Sequence, residues 1–237
     1  MPEHIRDALA KPALDVGLYT NQLDNMLAFW QEQAQLPFSE MLPVGGGVRQ
    51  HRHAVGDSVL KINHTREPLP VAPSGLASLT IYSDHVSEPL ELLDPDGNEL
   101  ILSPPDSNPG VNLSLQLHSP NATAQQQFYG DTLGLSSLAP DTFAVGASRL
   151  QILPNSGPGA TGDHDSAAKV RAARGYRYMT VQVYDVVSTH AAILNRGGRE
   201  GMAPVRLGDV AYISFVLDAD GNWIEISQRK SITGSLD

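Results

Sequence analysis

The chain has 237 residues, 41 % of them apolar and 18 % charged, with 16 Lys and Arg against 26 Asp and Glu for a formal net charge of −10. That balance suits a folded protein of one large domain or two of about 100–120 residues, and it disfavours nucleic acid and anionic membranes, which reward basic patches. The absence of cysteine excludes disulfides, zinc fingers and thiol catalysis.

No apolar run approaches the ~20 residues of a membrane span, and Met1–Pro12 lacks an apolar leader core, so a cytoplasmic setting and a small-molecule partner are expected. In chain order, Leu14–Thr20 alternates as a strand and leads into an amphipathic helix over Leu23–Trp30. Val48–Ala54 and Ser58–His64 read as two strands. Leu76–Ser83 is another, followed by Asp84–Pro89, which is too short for a helix. Leu92–Ser103 has the pattern of a hairpin, and Ser103–Gly110 is rich in Pro, Gly and Ser and reads as a linker. Val111–His118 and Ala122–Tyr129 repeat the strand and helix of the opening, and Arg149–Leu153 reads as a further strand. Gly157–Ser166, which holds His164, is a Gly/Pro/Asp-rich loop. Tyr178–Tyr184 is a strand, and Val186–Arg196 a helix stopped by Gly197 and Gly198. Val216–Ser227 closes the series with a second hairpin.

Internal similarity organises these elements. Leu93, Asp94, Asp96, Gly97, Asn98 and Ser103 recur as Leu217, Asp218, Asp220, Gly221, Asn222 and Ser227. Each copy carries an Asp-x-Asp-Gly-Asn turn, in which Gly and Asn supply the positive φ of a tight reversal. With the matched strand–helix openings, this gives four strand–helix–strands units, the second abridged.

That plan resembles the vicinal oxygen chelate superfamily, which includes glyoxalase I, bleomycin-resistance proteins, fosfomycin-resistance enzymes and extradiol dioxygenases. The matching residues are Asp15–Leu18 before Leu27–Trp30, Phe128–Tyr129 with Leu133–Leu135, and both Asp-x-Asp-Gly-Asn hairpins. The resemblance implies an α+β fold of βαβββ modules paired into two cup-shaped domains, at residues 10–105 and 110–232. Oligomeric state does not follow, because the modules are already fused in one chain.

Metal-dependent members take a His or Gln from the first strand of a module and a Glu from its last. Glu225 falls where that glutamate belongs. Tyr178 stands where a His is expected, and Asn112 or Ser114 and Gln151 occupy the related places of the third module. In the N-terminal half the positions are Asp15, Asn63 or Lys61, Ser78 and Ile101. One carboxylate without imidazoles is a poor ligand set for Fe or Zn, so no tightly bound metal is expected, although Glu225 could contribute to a divalent site. Ring cleavage is disfavoured further: Phe215 and Ala219 replace the usual Tyr and Pro, and Arg206–Tyr212 contains no His.

The period of two puts Trp223, Glu225 and Ser227 on one strand face and Ile224 and Ile226 on the other. A carboxylate buried beside an indole can serve as a general base. Alternatively, Glu225 is a remnant bonded to Tyr178 or Gln182. The polar rows Tyr178, Thr180, Gln182, Tyr184 and Asn112, Ser114, Gln116, His118 suggest a hydrogen-bonding pocket, against the alternative of a solvated sheet face. His51 and His53 share a strand face and read as a solvent-facing edge rather than a metal pair, and His118 and His190 as surface or helix-face residues. The expectation is a glyoxalase/bleomycin-resistance-like protein holding an oxygen-rich or aromatic molecule in the C-terminal cup, with metal-independent lyase or isomerase chemistry assisted by Glu225 and Tyr178. The alternatives are a ligand-sequestering protein without catalysis, and a divalent-metal-dependent glyoxalase or dioxygenase.

Overall fold

A computed structural model describes residues 4–105, 110–154 and 171–236. His164 and the whole of its loop, Gly157–Ser166, lie outside the described residues. The first unit comprises β1 (Leu9–Thr20), α1 (Leu23–Ala28), β2 (Phe38–Pro43), β3 (Arg49–Val55) and β4 (Ser58–His64). The second holds only strands among its described residues: β5 (Leu76–Tyr82), β6 (Leu90–Leu93) and β7 (Glu99–Ser103). The third is β8 (Leu113–Ser119), α2 (Ala122–Gln127), β9 (Ser136–Ala139), β10 (Thr142–Val145) and β11 (Ser148–Pro154). The fourth is β12 (Gly175–Val183), α3 (Val186–Asn195), β13 (Arg199–Leu207), β14 (Ala211–Leu217) and β15 (Trp223–Arg229). The α+β fold, its four units and the abridged second one are as the sequence implies.

The pairing of the units is different. Strand order is β13-β14-β15-β12-β1-β4-β3-β2 in an eight-stranded sheet and β6-β7-β5-β8-β11-β10-β9 in a seven-stranded one. Unit one therefore joins unit four through the antiparallel β1–β12 seam, and unit two joins unit three through β5–β8. The division into cups at 10–105 and 110–232 does not describe these sheets, because both seams cross it. The physical reason lies in the connection after Ser103. Short connections keep successive strands close, and this one leaves β8 in the same sheet as β7 with only β5 between them. The first strands of units one and four would then be open edges, a state that pairing removes.

The helices cover the outer faces. Leu14, Val16 and Leu18 of β1 share one core with Met179 and Val181 of β12, Ile224 and Ile226 of β15, Met26, Phe29 and Trp30 of the first helical segment, and Val186 and Ile193 of α3. Each such side chain contributes about 1.5–3 kcal/mol by leaving water. Alternation thus sends the intervening residues of these strands to the concave side.

The duplicated turns brace one sheet against the other. The Asp94 carboxylate accepts from the backbone N–H of Asp96 and Asn98 and from the Asn98 amide, and Asp218 does the same for Asp220 and Asn222. Each Asn then accepts from the start of the other copy's first strand: Asn222 Oδ1 from Gly75 N–H at 2.9 Å, Asn98 Oδ1 from Tyr176 N–H at 3.2 Å. A side chain at Gly75 would meet the Asn222 amide at 2.6 Å, which accounts for the glycine there.

Candidate functional site

A cavity of about 580 Å³ opens on the concave face of the eight-stranded sheet. Its floor follows from strand register. Across the seam Asp15 faces Thr180 and Gly17 faces Tyr178, while Lys61 is level with Gly17 and Glu225 with Thr180. These registers define a local two-fold between β1 and β12 that carries Gly17 onto Thr180, Asp15 onto Tyr178 and Lys61 onto Glu225. The related positions of the two units thus hold opposite charges. Gly17 is required by its neighbour: a Cβ there would lie 2.1 Å from the Tyr178 ring.

Those two charges meet. Lys61 Nζ donates to Glu225 Oε2 at 2.9 Å and to Thr180 Oγ1 at 2.7 Å, and Asp15 Oδ2 lies 4.0 Å away. Lys61 is 2 % and Glu225 9 % exposed, so water screens the pair little. Burial pulls the Lys61 amine below the ordinary lysine value, against the opposing pull of Glu225 and Asp15. Burial alone would raise the Asp15 carboxyl, but Lys11 and Lys61 outweigh it and hold the group below the usual carboxylate range. Asp15 also accepts from Lys11, from Val59 N–H at 3.0 Å and from Gln182 Nε2 at 3.2 Å. Glu225 is therefore neither a lone acid nor a partner of Tyr178 or Gln182.

Tyr178 lines the cavity, and its hydroxyl accepts from Asn63 Nδ2 at 3.1 Å and Gln50 Nε2 at 3.4 Å. Burial and the nearby Glu225 lift this phenol well above its ordinary value, so it keeps its proton and can donate it in a hydrogen bond. The upper wall is apolar, with Leu42, Val44, Met202, Val205, Leu207, Ile213 and Phe215. Arg171 lies over the rings of Phe215 and Trp223, at 4.9 and 5.4 Å.

The other sequence candidates fall outside this cavity. Gln182 is buried beneath it on Asp15. Trp223 is buried against Phe215, with ring centroids 5.5 Å apart. Ser114, Gln116 and Gln151 stand on the seven-stranded sheet and Asn112 just before its strand β8, a consequence of the pairing of unit three with unit two. There Gln116 bonds Ser78 at 3.0 Å and Gln151 at 3.4 Å, and Asn112 packs on the Gly56 turn. His53 is buried rather than solvent-facing, because β2 covers it: its ring is 3.0 Å from Gln31 Nε2 and edge-on to Phe38. His190 is also buried, between Ser214 and Glu200 at 3.0 Å each. Sequence reasoning missed Arg52, Arg171 and Arg229 as lining residues. The signal for two of them was alternation, since Gln50–Arg52 and Glu225–Ser227–Arg229 continue the inward rows.

Among the described residues no three His, Cys, Asp or Glu converge to hold a metal ion. The residues at the related positions, Asp15, Lys61, Tyr178 and Glu225, do not fit one either, because the Lys61 ammonium already satisfies the Glu225 carboxylate and would repel a second cation. No described helix is long and apolar enough to cross a membrane.

Residues 115–226 match the family model described as Glyoxalase/Bleomycin resistance protein/Dioxygenase superfamily. No curated protein matches the chain in sequence. Among solved structures, glyoxalase I from Zea mays superposes with a TM-score of 0.69 at 14 % identity, covering 91 % of this chain and 92 % of that one. A putative dioxygenase from Bacillus subtilis gives 0.64 at 10 % identity, with 94 % and 90 % covered. The cppA protein from Streptococcus pneumoniae gives 0.57 at 12 % identity, with 94 % and 99 % covered. At these identities the likeness speaks for the fold alone. Residues 115–226 thus resemble the Glyoxalase/Bleomycin resistance protein/Dioxygenase superfamily in sequence, and nearly the whole chain is similar in fold to glyoxalase I.

Proposed function

We propose that this chain binds a small oxygen-bearing molecule in the cup shared by its first and fourth units and moves a proton on it without a metal ion, in a lyase- or isomerase-type reaction. The supporting observation is the Lys61 ammonium, fixed by Glu225 and Thr180 in the floor of the cavity. A ligand carbonyl accepting from Lys61 is polarised by a full positive charge in a poorly screened site, where such stabilisation is strongest. Polarisation acidifies the C–H next to that carbonyl, and Glu225 is the carboxylate beside it that can take the proton and return it to a neighbouring carbon or to oxygen. Tyr178 donates a hydrogen bond to the oxygen on which charge develops.

The test is uptake of deuterium from heavy water into small α-hydroxyketones and 2-oxo compounds, followed by NMR with excess chelator present. Exchange by the unaltered protein, lost in Glu225→Gln and in Lys61→Met, is the expected result. Exchange that stops with chelator and returns with a divalent cation would overturn the metal-free reading. Binding without exchange would identify a sequestering protein instead.

A further inference from the structure

The cavity has a second charged region, which the proton-transfer reading does not use. Arg52 on β3 and Arg229 on β15 both line it, although three strands, β12, β1 and β4, stand between β3 and β15 in the sheet. They meet through one acid. Glu40, on the edge strand β2, places the same oxygen, Oε1, 3.2 Å from Arg52 Nε and 3.3 Å from Arg229 Nη2. The sheet is thus curled until its β2 edge reaches across the cup to β15.

The balance of this trio is unusual. The two guanidinium groups are the buried members, with side chains 7 % and 12 % exposed, whereas the carboxylate they share is 44 % exposed. Burying a cation is costly unless it is paired, and here two cations share one oxygen of a solvated acid. The buried acids Glu225 and Asp15 are engaged by Lys61 and reach the two arginines only as more distant charges. Beside the arginines the wall is apolar, at Leu42, Leu207 and Ile213. Guanidinium pairs of this kind suit planar or tetrahedral oxyanions, to which each can donate two hydrogen bonds.

We infer that Arg52 and Arg229 form a seat for an anionic group of the ligand, a carboxylate or a phosphate carried on an apolar body, and that Glu40 is the internal counter-ion with which that group competes. This deepens the function proposed above and rests on it for the identity of the cup as the binding site. It narrows the ligand class to acids with an oxygen function at the far end, facing Lys61.

The experiment is calorimetric titration at low salt with phenylacetate, phenyl phosphate and the neutral phenylacetamide. Both anions are expected to bind at least about tenfold more tightly than the amide, and the tighter of the two tells carboxylate from phosphate. Arg229→Gln and Arg52→Gln should each weaken the anions about tenfold and leave the amide unchanged. Glu40→Gln, with its folding checked by far-UV circular dichroism, should tighten both anions by a similar factor by removing the competitor. The inference is overturned when Glu40→Gln leaves anion affinity unchanged or lower, when the amide matches the acids, or when neither anion binds up to about 10 mM. Arginine-dependent binding of acids by a protein that exchanges no protons would end the proton-transfer reading and leave the anion seat standing.

Discussion

Replacing Lys61 with Met keeps the length of the side chain and removes its charge. Two carboxylates then lose their shared cation: Glu225, bonded at 2.9 Å, and Asp15, 4.0 Å away. Breaking a buried pair from one side costs about 3–5 kcal/mol, because the remaining charge stays desolvated. For a chain of this size each kcal/mol lowers the melting temperature by about 2–4 °C, so a fall of roughly 6–20 °C is expected. Calorimetry and far-UV circular dichroism at neutral pH, run in parallel, measure it. The double variant Lys61→Met with Glu225→Leu should recover at least half of the loss, since an apolar pair of similar volume replaces a buried ion pair at little cost. Asp15 keeps Lys11 in that background. A single variant melting within about 2 °C of the unaltered protein, or a double variant showing the plain sum of both losses, would refute the reasoning.

Three further outcomes follow from the geometry. Gly17→Ala drives a methyl group into the Tyr178 ring and should cost about 1–3 kcal/mol in urea unfolding, relieved when Tyr178→Ala is added; an unaffected single variant would contradict the close approach. Asn98→Ala and Asn222→Ala each remove a brace between the sheets and should cost about 1–3 kcal/mol alike, with faster amide exchange at Tyr176 and Gly75 respectively. His53, held neutral by burial and then by the charge of His51, should titrate by NMR at about 4. Because its folded value lies below its unfolded one, the stability it contributes is complete above about 6.5 and lost as pH falls toward about 4. A midpoint near the free value, or an unchanged acid limb in His53→Gln, would count against its burial.

Much of this architecture was legible in the residues. Asp94–Asn98 and Asp218–Asn222 revealed the duplication, and the alternation around Ile224 and Ile226 correctly turned Glu225 toward the concave side. Strand partnership was not legible, because periodicity fixes which face a residue takes and says nothing about which edge it meets. That one unknown displaced Asn112, Ser114, Gln116 and Gln151 to the other sheet and hid the meeting of Lys61 with Glu225, 164 residues apart in sequence. Lys61 was visible as a cation at a position related to Glu225. Its significance needed the pairing of unit one with unit four. Arg52 and Arg229 were readable as inward residues by alternation, yet only the curl of the sheet reveals that Glu40 joins them.

The β1–β12 seam also governs how the molecule comes into being. A nascent chain emitted at about 5–20 residues per second leaves β1 waiting roughly 10–30 s before β12 has been synthesised, with a long apolar edge uncovered meanwhile. Units two and three, neighbours along the chain, can close their sheet first and hold the two outer units near each other. Synthesis therefore favours that order of assembly, since the cup between units one and four can close only after β12 and β15 have been made.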